Sequence, residues 1–212
     1  MQDDREDFST EEEESQPGRD VIIVLIVFFE AGLAPFALLL GWILGHPPLE
    51  HFNWRPADFG LGVLASLPMI AFVIALLKWP IGPFRRIRKL CDEEVVPLLA
   101  GSDWYELIMI ALAAGVGEEM LFRGVVQVSI EGWLGSPAWG LILASIFFGL
   151  LHPVSITYIV VASLLGIYLG WLLLVNGNLL TVMIAHALYD LAALGYLLKW
   201  SSPPFPPGEA LD

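Results

Sequence analysis

The stretch that decides the fold is Ala111-Leu-Ala-Ala-Gly-Val-Gly-Glu118-Glu119-Met-Leu-Phe-Arg123-Gly124. Its small and apolar residues are typical of a membrane-spanning helix, yet it carries two adjacent carboxylates and a guanidinium. An ionised side chain at bilayer depth costs at least about 2.5–3.5 kcal/mol, and such groups face the protein interior, where they mark functional sites. The stretch therefore predicts a membrane-embedded helix with a polar site on its protein-facing side.

The composition of the whole chain agrees with a polytopic membrane protein. Of its 212 residues, 57% are hydrophobic and 16% charged, and the mean hydropathy is +0.71. A soluble domain has about 45–50% apolar and about 25% charged residues. Much of the net charge of -13 comes from acidic residues between positions 3 and 14, so residues 1–20 are expected to form a disordered acidic tail. The ten Lys and Arg residues form no large basic face, which disfavours nucleic acid as a partner.

The single cysteine limits the possible disulfide and metal chemistry, and the first residues bear on the location of the chain. Cys91 is the only cysteine, which excludes an intrachain disulfide and the thiolate clusters of structural zinc sites. The acidic N-terminus and the long first apolar run are unlike a signal peptide, so that run is expected to remain as a membrane anchor. With no eukaryotic targeting signal, the compact chain favours a bacterial inner membrane.

Six apolar runs approach or reach the length of about 20 residues that a spanning helix needs. They predict an all-α fold, a polytopic transmembrane helical bundle of about six spans at 21–44, 59–77, 104 to about 128, 138–151, 156–175 and 179–198. We expect the acidic tail at 1–20, two N-terminal spans and their connection at 21–100, the motif-bearing core at 101–200, and a proline-rich tail at 201–212.

The connection between the second and third spans predicts an amphipathic helix. One apolar face recurs at gaps of three and four residues, and the opposite face is charged; the apolar positions are Phe84, Ile87, Cys91, Val95 and Leu98. Such a helix lies in the membrane interface, with a break expected at Pro97. It is interpreted as a simple connection, with a substrate gate as the functional alternative.

The basic residues predict the orientation of the bundle. Half of the ten Lys and Arg residues cluster in this same connection, which the positive-inside rule places in the cytoplasm: Lys78, Arg85, Arg86, Arg88 and Lys89. An even number of spans then puts both the N-terminus and the C-terminus on the cytoplasmic side.

The helical repeat assigns different tasks to the two adjacent glutamates. Neighbouring residues on a helix point about 100° apart, so Glu118 and Glu119 face different directions. Glu119 and Arg123 are four residues apart with the acid first, which is the favourable order for an ion pair. Arg123 is therefore expected to hold Glu119 in a buried structural pair, which leaves Glu118 available for chemistry.

Three further polar residues in later apolar segments are the natural partners of Glu118. His152 closes the fourth predicted span, while His186 and Asp190 share one face of the sixth. Polar groups that several helices turn inward are how bundle sites are built. Three functions remain open for such a set: water activation by a hydrolase, a proton-coupled carrier or other transporter, and a non-catalytic scaffold or immunity protein. The absence of an internal repeat disfavours the transporter.

A metal site is a fourth interpretation of the same residues. Zinc needs three protein ligands and an open position in catalytic sites, and Glu118, His152 and His186 could supply them. The chain has no HExxH motif. Water activation without a metal, and so no cofactor, is the preferred prediction.

Three motifs in this core resemble a known family. Glu118-Glu-Met-Leu-Phe-Arg-Gly124 resembles the EExxFRG motif of the CPBP family, the CAAX proteases and bacteriocin-processing enzymes also called the Abi family. Phe148-Gly-Leu-Leu-His152 resembles its FxxxH motif, and His186-Ala-Leu-Tyr-Asp190 its HxxxN or HxxxD motif. The motifs follow the family's order, and the first is a complete match.

The resemblance implies a CPBP-type intramembrane endopeptidase, similar to CAAX prenyl protease 2, that cleaves a membrane-associated protein or peptide. It assigns water activation to Glu118 and His152, and stabilisation of the oxyanion to His186 and Asp190. Better-studied members have Asn where this chain has Asp190. Because an ionised Asp would repel an oxyanion, Asp190 could act only if it is protonated or if it orients His186 as a hydrogen-bond acceptor, and we expect the orienting role.

The predicted spans leave a mismatch in depth. Glu118 would lie about 20 Å along its span from the cytoplasmic end, at 1.5 Å per residue. His152 would lie near the cytoplasmic end of the short fourth span. The two residues can meet only if the third span begins deeper than predicted or the fourth continues past Pro153.

Overall fold

The computed structural model describes residues 18–200, and regular structure within this range is helical. The helices are α1 Arg19–Leu44, α2 Pro56–Lys78, α3 Phe84–Leu90, α4 Val96–Leu98, α5 Trp104–Leu121, α6 Val128–Leu134, α7 Pro137–Leu150, α8 Ile156–Asn176 and α9 Leu179–Gly195. A 3₁₀ turn, Pro48–His51, follows α1. The predicted acidic and proline-rich tails fall outside the described residues, except that the first helix begins at Arg19 rather than at residue 21.

Short π-helical segments join or extend several of these helices without a break in the chain direction. Cys91–Val95 links α3 to α4, Phe122–Gln127 links α5 to α6, and Tyr196–Trp200 continues α9. Such π segments are often found at functional sites. The second one begins directly after the glutamate pair, in the first sequence motif.

The helical bundle is confirmed, while the count of six spans is not. Within residues 18–200, four helices are long and apolar enough to cross a membrane: Arg19–Leu44, Pro56–Lys78, Ile156–Asn176 and Leu179–Trp200. Helix α5 carries three carboxylates, and α7 has only 14 residues. Large side chains such as Phe28 and Trp42 face outward from α1, as lipid contact requires. The chain is an integral membrane protein, and its orientation in the bilayer stays a prediction.

Neither boundary change that we expected occurs, because the third span begins at Trp104 as predicted and α7 ends at Leu150, before Pro153. The third span ends later than predicted, and this removes the mismatch in depth. Instead of stopping near residue 128, the helix continues to Leu134 and turns back at Gly135, whose φ of 62° is in the left-handed region that favours glycine. Glu118 and His152 are each seventeen residues from Gly135, on opposite arms of this hairpin. Both therefore lie about 25 Å from the turn. Hydropathy alone does not reveal the turn, because α6 is about as apolar as the span before it.

Helix α1 packs parallel to α5 and brings its middle to the glutamate pair. Near their starts, Arg19 Nη2 lies 3.3 Å from Glu106 Oε1. Eleven residues further along each helix, the backbone oxygen of Glu30 occupies the space where a side chain at Gly117 would be. Close approach of two spanning helices at a small residue is a common packing mode in membranes. It places α1 directly beside Glu118.

The connection between α2 and α5 is amphipathic in part only. Ile87 and Cys91 pack against apolar residues of α2, α8 and the end of α9, as their spacing predicts. The apolar face does not extend to Leu98, which is 41% exposed, while Leu99 is buried. The break predicted at Pro97 does not occur at that residue, which lies within α4; the preceding π segment ends at Val95 and the helix ends at Leu98.

One charged residue on the opposite face of this connection is buried instead of exposed to solvent. Arg88 is buried, where its guanidinium pairs with Asp92 at 2.8 Å and donates to the carbonyl of Leu77 at 3.1 Å. The expectation of a uniformly solvated charged face is therefore wrong at this residue, because a neighbouring acid and a backbone carbonyl satisfy the charge inside the protein.

Candidate active site

Glu118 lies in the protein interior, near the end of α5. That helix starts with a capping box, in which the Asp103 side chain accepts a hydrogen bond from the backbone of Glu106 and the Glu106 side chain accepts one from Asp103. Glu118 is 8% exposed. Its position is thus fixed by a well-capped helix, against which α1 packs at Gly117, the residue before Glu118.

The structure brings Glu118 together with both predicted histidines. One carboxylate oxygen, Oε1, lies 3.6 Å from Nε2 of His152, and the other, Oε2, lies 3.7 Å from Nε2 of His186. The three side chains come from α5, the turn after α7, and α9. The convergence that the sequence predicted is therefore present, with separations slightly longer than direct hydrogen bonds.

Both histidines turn the same nitrogen toward Glu118 because their other nitrogen is occupied. Nδ1–H of His152 donates to the carbonyl of Phe148 at 2.7 Å. Nδ1–H of His186 donates to Oε1 of Glu119 at 2.6 Å. Partners of this kind fix the tautomer of a histidine and the direction of its ring. Each neutral ring consequently offers an unprotonated Nε2 to the space around Glu118.

The predicted ion pair between Glu119 and Arg123 is confirmed, and both side chains are buried. Arg123 Nη1 donates to Oε1 of Glu119 at 2.8 Å, and Nη2 donates to the carbonyl of Gly166 on α8 at 3.1 Å. The guanidinium also lies 4.5 Å from the centre of the Phe148 ring. Arg123 thus joins α5, α7 and α8, while Glu119 connects this pair to His186.

Asp190 lies beside His186, on the face of the helix that the spacing predicted. Its Oδ2 is 3.4 Å from Nε2 of His186, the nitrogen that also faces Glu118. The shorter contact of the ring is the one in which Nδ1–H donates to Glu119. The sequence spacing did not indicate which nitrogen Asp190 would meet, and its orienting role stays a prediction.

Aromatic rings from two motifs form one wall of the site. Phe122 and Phe148 meet edge to face, with centroids 5.0 Å apart, a favoured arrangement for aromatic pairs. The Phe148 ring also lies 4.8 Å from the ring of His152. On the other side, Tyr189 stacks on His186 at 5.0 Å, and its hydroxyl is 3.4 Å from Nε2. Sequence reasoning gave no role to Tyr189.

Comparison with known proteins finds one family model that is similar to part of this chain. Residues 100–192 match the protein-family model described as "Type II CAAX prenyl endopeptidase Rce1-like". The match confirms the resemblance to the CPBP family. It supports CAAX-type intramembrane protease activity in general. No curated protein and no solved structure matched the chain.

The CPBP motifs line a cavity of about 320 Å³. Its polar wall holds both histidines with Glu118 and Asp190, and its larger apolar wall comes from α2, α3, α8 and α9. Cys91 and Ile87 of the connecting segment lie on this apolar wall, so the segment covers the site from one side. Volumes of about 300–1,000 Å³ with a few convergent polar groups are typical of ligand pockets.

One acid in the cavity wall was not assigned to the site from the sequence. Glu30 of α1 lines the same cavity as the CPBP motifs but lies outside the matched segment. Its Oε2 is buried and has no hydrogen-bond partner among residues 18–200. The signal was available, because Glu30 is a charged residue within a long apolar run. It was missed because no spacing rule connects the first predicted span to the third.

The spacing of the donor atoms bears on the zinc alternative. The gaps of 3.6 and 3.7 Å from Glu118 to the two Nε2 atoms are close to the distance between ligands of a tetrahedral ion with bonds of about 2.0–2.1 Å. Within residues 18–200, however, no group of three or more His, Cys, Asp or Glu side chains has the arrangement of a metal site. Zinc binding stays a prediction for metal analysis.

Proposed function

We propose that the protein is an intramembrane endopeptidase that hydrolyses a peptide bond with a water molecule activated by Glu118 and His152. One observation carries the proposal: Glu118 faces the Nε2 atoms of two histidines from different helices, inside a cavity embedded in the bundle. Carboxylate oxygens and unprotonated imidazole nitrogens are all acceptors. A water with two O–H donors satisfies two of them at once and is held as a nucleophile.

In the proposed reaction the water oxygen attacks the carbonyl carbon and one water proton passes to Glu118. His152 orients the water through Nε2, since its Nδ1–H is held by the Phe148 carbonyl. The peptide C–N bond then breaks, and the proton moves from Glu118 to the leaving nitrogen. Glu118 thus begins and ends the cycle as a carboxylate, as a general base must.

His186 is the proposed donor to the oxyanion. When protonated on both nitrogens, its Nδ1–H donates to Glu119 and its Nε2–H is available for the negatively charged oxygen of the intermediate. The carboxylates of Glu119 and Asp190 lie on either side of the ring and favour its positive form. Asp190 therefore supports the charge on His186 and makes no contact with the oxyanion itself.

The proposed substrate is a membrane-associated protein or peptide. The apolar wall of the cavity and the bilayer around the bundle favour a substrate that is already in the membrane. A prenylated CAAX tail is one such substrate, and it is suggested by the description of the matched family. A bacterial inner membrane, with both termini in the cytoplasm, is the proposed location.

Glu118→Gln tests the proposal. We expect this variant to lose cleavage while it folds and inserts normally, because glutamine has nearly the shape of glutamate but cannot take a proton. Exposed Glu50, outside the cavity, provides the matched control: Glu50→Gln should cleave at the wild-type rate. Purified proteins in liposomes are given a fluorogenic CAAX peptide with and without a farnesyl group. Membranes of cells that express each variant are searched for new peptide termini by mass spectrometry.

Retention of wild-type cleavage by Glu118→Gln would overturn the proposed role of Glu118. If the wild type produces no cleavage in either experiment but carries protons across the same liposomes, the carrier interpretation replaces the protease. Zinc content of the purified wild type and cleavage in the presence of 1,10-phenanthroline separate the metal-free mechanism from the zinc alternative. A stoichiometric ion whose removal stops cleavage would contradict the metal-free one.

A further inference from the structure

We propose that Glu30 of α1 contacts the nitrogen of the peptide bond that is cut and receives the amine that cleavage releases. The inference rests on the proposed function and extends the site beyond the CPBP motifs to a helix that the family match does not cover. It assigns to α1 a role in substrate binding, in addition to its role as a membrane span.

The position of Glu30 is fixed by the contact between α1 and α5. Its backbone oxygen lies against Gly117, the residue before Glu118. Its side chain lines the cavity that also holds Glu118, His152 and His186. Glu30 is therefore anchored at its backbone, and its side chain forms part of the wall around the reacting groups.

One oxygen of the Glu30 carboxylate is available to a ligand. Oε2 is buried and makes no hydrogen bond within the described residues. Leaving a buried polar atom unpaired is costly unless a partner arrives during function. Oε2 of Glu119 is also unpaired, but the other oxygen of Glu119 is held by Arg123 and His186, and Glu119 does not line the cavity.

Chemistry decides which side of the scissile bond Glu30 can serve. The carbonyl oxygen becomes an oxyanion, which needs hydrogen-bond donors and is repelled by a carboxylate. The donors that the reacting peptide bond offers are its N–H group before cleavage and the protonated amine after it. A carboxylate is the complementary partner for both, because charge-assisted hydrogen bonds are stronger than neutral ones.

With these roles for Glu118 and Glu30, the atoms and charges of the hydrolysis balance. Water supplies the oxygen of the new carboxylate product. One of its protons goes through Glu118 to the nitrogen, and the other, left on the new carboxyl group, passes to the released amine, which gives a carboxylate and an ammonium group. Glu30 forms no covalent bond. It accepts a hydrogen bond from the nitrogen and stabilises the positive charge that the amine gains when it is protonated.

The test compares an amide substrate with its ester analogue, in which the scissile N–H is replaced by oxygen. The ester cannot donate to Glu30 and releases a neutral alcohol. In Glu30→Leu, kcat/KM for the amide should fall about 10- to 100-fold, the range of a lost hydrogen bond to a charged group. For the ester it should stay within about threefold of wild type, since no contact is lost.

Glu30→Gln separates charge from hydrogen bonding, and Glu50→Gln again serves as the control. Gln keeps an acceptor oxygen but loses the charge that holds the amine, so its amide activity should lie between those of wild type and Glu30→Leu. The Tm of Glu30→Leu should be equal to or higher than that of the wild type, because a buried unpaired oxygen is replaced by an apolar group. A purely structural role for Glu30 would instead lower it.

The outcomes also separate this inference from the proposed function. Equal losses for amide and ester, or no loss for either, would overturn the role of Glu30 while wild-type cleavage still stands. If the wild type cleaves neither substrate and produces no new termini in cell membranes, the proposed function itself fails.

Discussion

Replacing Arg123 by alanine is the sharpest test of how the site is held together. In the native structure the guanidinium is 1% exposed and satisfies a carboxylate oxygen of Glu119, the carbonyl of Gly166 and the face of Phe148. The substitution removes all three contacts at once. It leaves Glu119, which is fully buried, with His186 as its remaining hydrogen-bond partner in the described residues.

The expected loss follows from the burial of this pair. Removing one partner of a buried ion pair costs about 3–5 kcal/mol, because the other charge stays in a low-dielectric interior. The unpaired carbonyl of Gly166 and the lost ring contact move the value toward the upper end of that range. For a chain of about 150–250 residues, each kcal/mol lowers Tm by about 2–4 °C. We therefore expect Tm to fall by about 6–20 °C.

The single cysteine provides the assay. Cys91 is buried in the folded protein, so a maleimide dye that fluoresces on reaction with a thiol reports unfolding on heating in detergent. Exposed Arg86 is the matched control, and Arg86→Ala should shift Tm by less than about 2 °C. A fall in Arg123→Ala no larger than that of the control would refute the ion pair as a structural element.

A double-mutant cycle isolates the pair from the rest of the loss. Glu119→Gln and Arg123→Met are measured singly and together. If the two charges are mutually compensating, the double variant should be less destabilised than the sum of the single variants, by a margin within the range of about 0.5–3 kcal/mol for contacting residues. Strict additivity would mean that the 2.8 Å contact contributes nothing.

Two further predictions concern helix packing and the cysteine. Gly117→Val should lower both Tm and cleavage, because a side chain there meets the backbone of Glu30. Gly32 has open space around it, so Gly32→Ala should be neutral or stabilising in the same measurements. Equal behaviour of the two variants would contradict the close approach of α1 to α5. Burial raises the pKa of the Cys91 thiol from 9.0 to about 11, so its iodoacetamide labelling at pH 8 should be about a hundredfold slower in the folded than in the unfolded protein and should accelerate as pH rises toward 11. Labelling at the unfolded rate would show that the thiol is not shielded.

The centre of the site was predictable because ionisable groups are rare and costly in apolar helices. Glu118, His152, His186 and Asp190 stand out against their surroundings, and the helical repeat separates Glu118 from Glu119. The ion pair with Arg123 follows from the same repeat. These inferences depend on local periodicity, which holds from Glu119 to Arg123 although a π segment begins at Phe122.

The ends of the spans were less predictable because hydropathy does not change where the helices turn. The third predicted span continues through α6 to Leu134, and the signal for its end was the C-terminal Gly135 rather than any loss of apolar residues. The identity of the nitrogen that Asp190 meets, and the approach of Glu30, depend on rotamers and on packing between distant helices. Neither can be read from spacing along one helix.

The turn at Gly135 has a consequence for how this protein tolerates changes in length. Glu118 and His152 are placed by counting residues outward along two rigid arms, so one extra residue in either arm would rotate its active group by about 100° and shift it by about 1.5 Å. Three or four extra residues would nearly restore the angle but move the group by about 5 Å along the axis. Extra residues at the bend itself leave both arms in phase, which makes that bend the place where the hairpin can grow without loss of alignment between the acid and the imidazole.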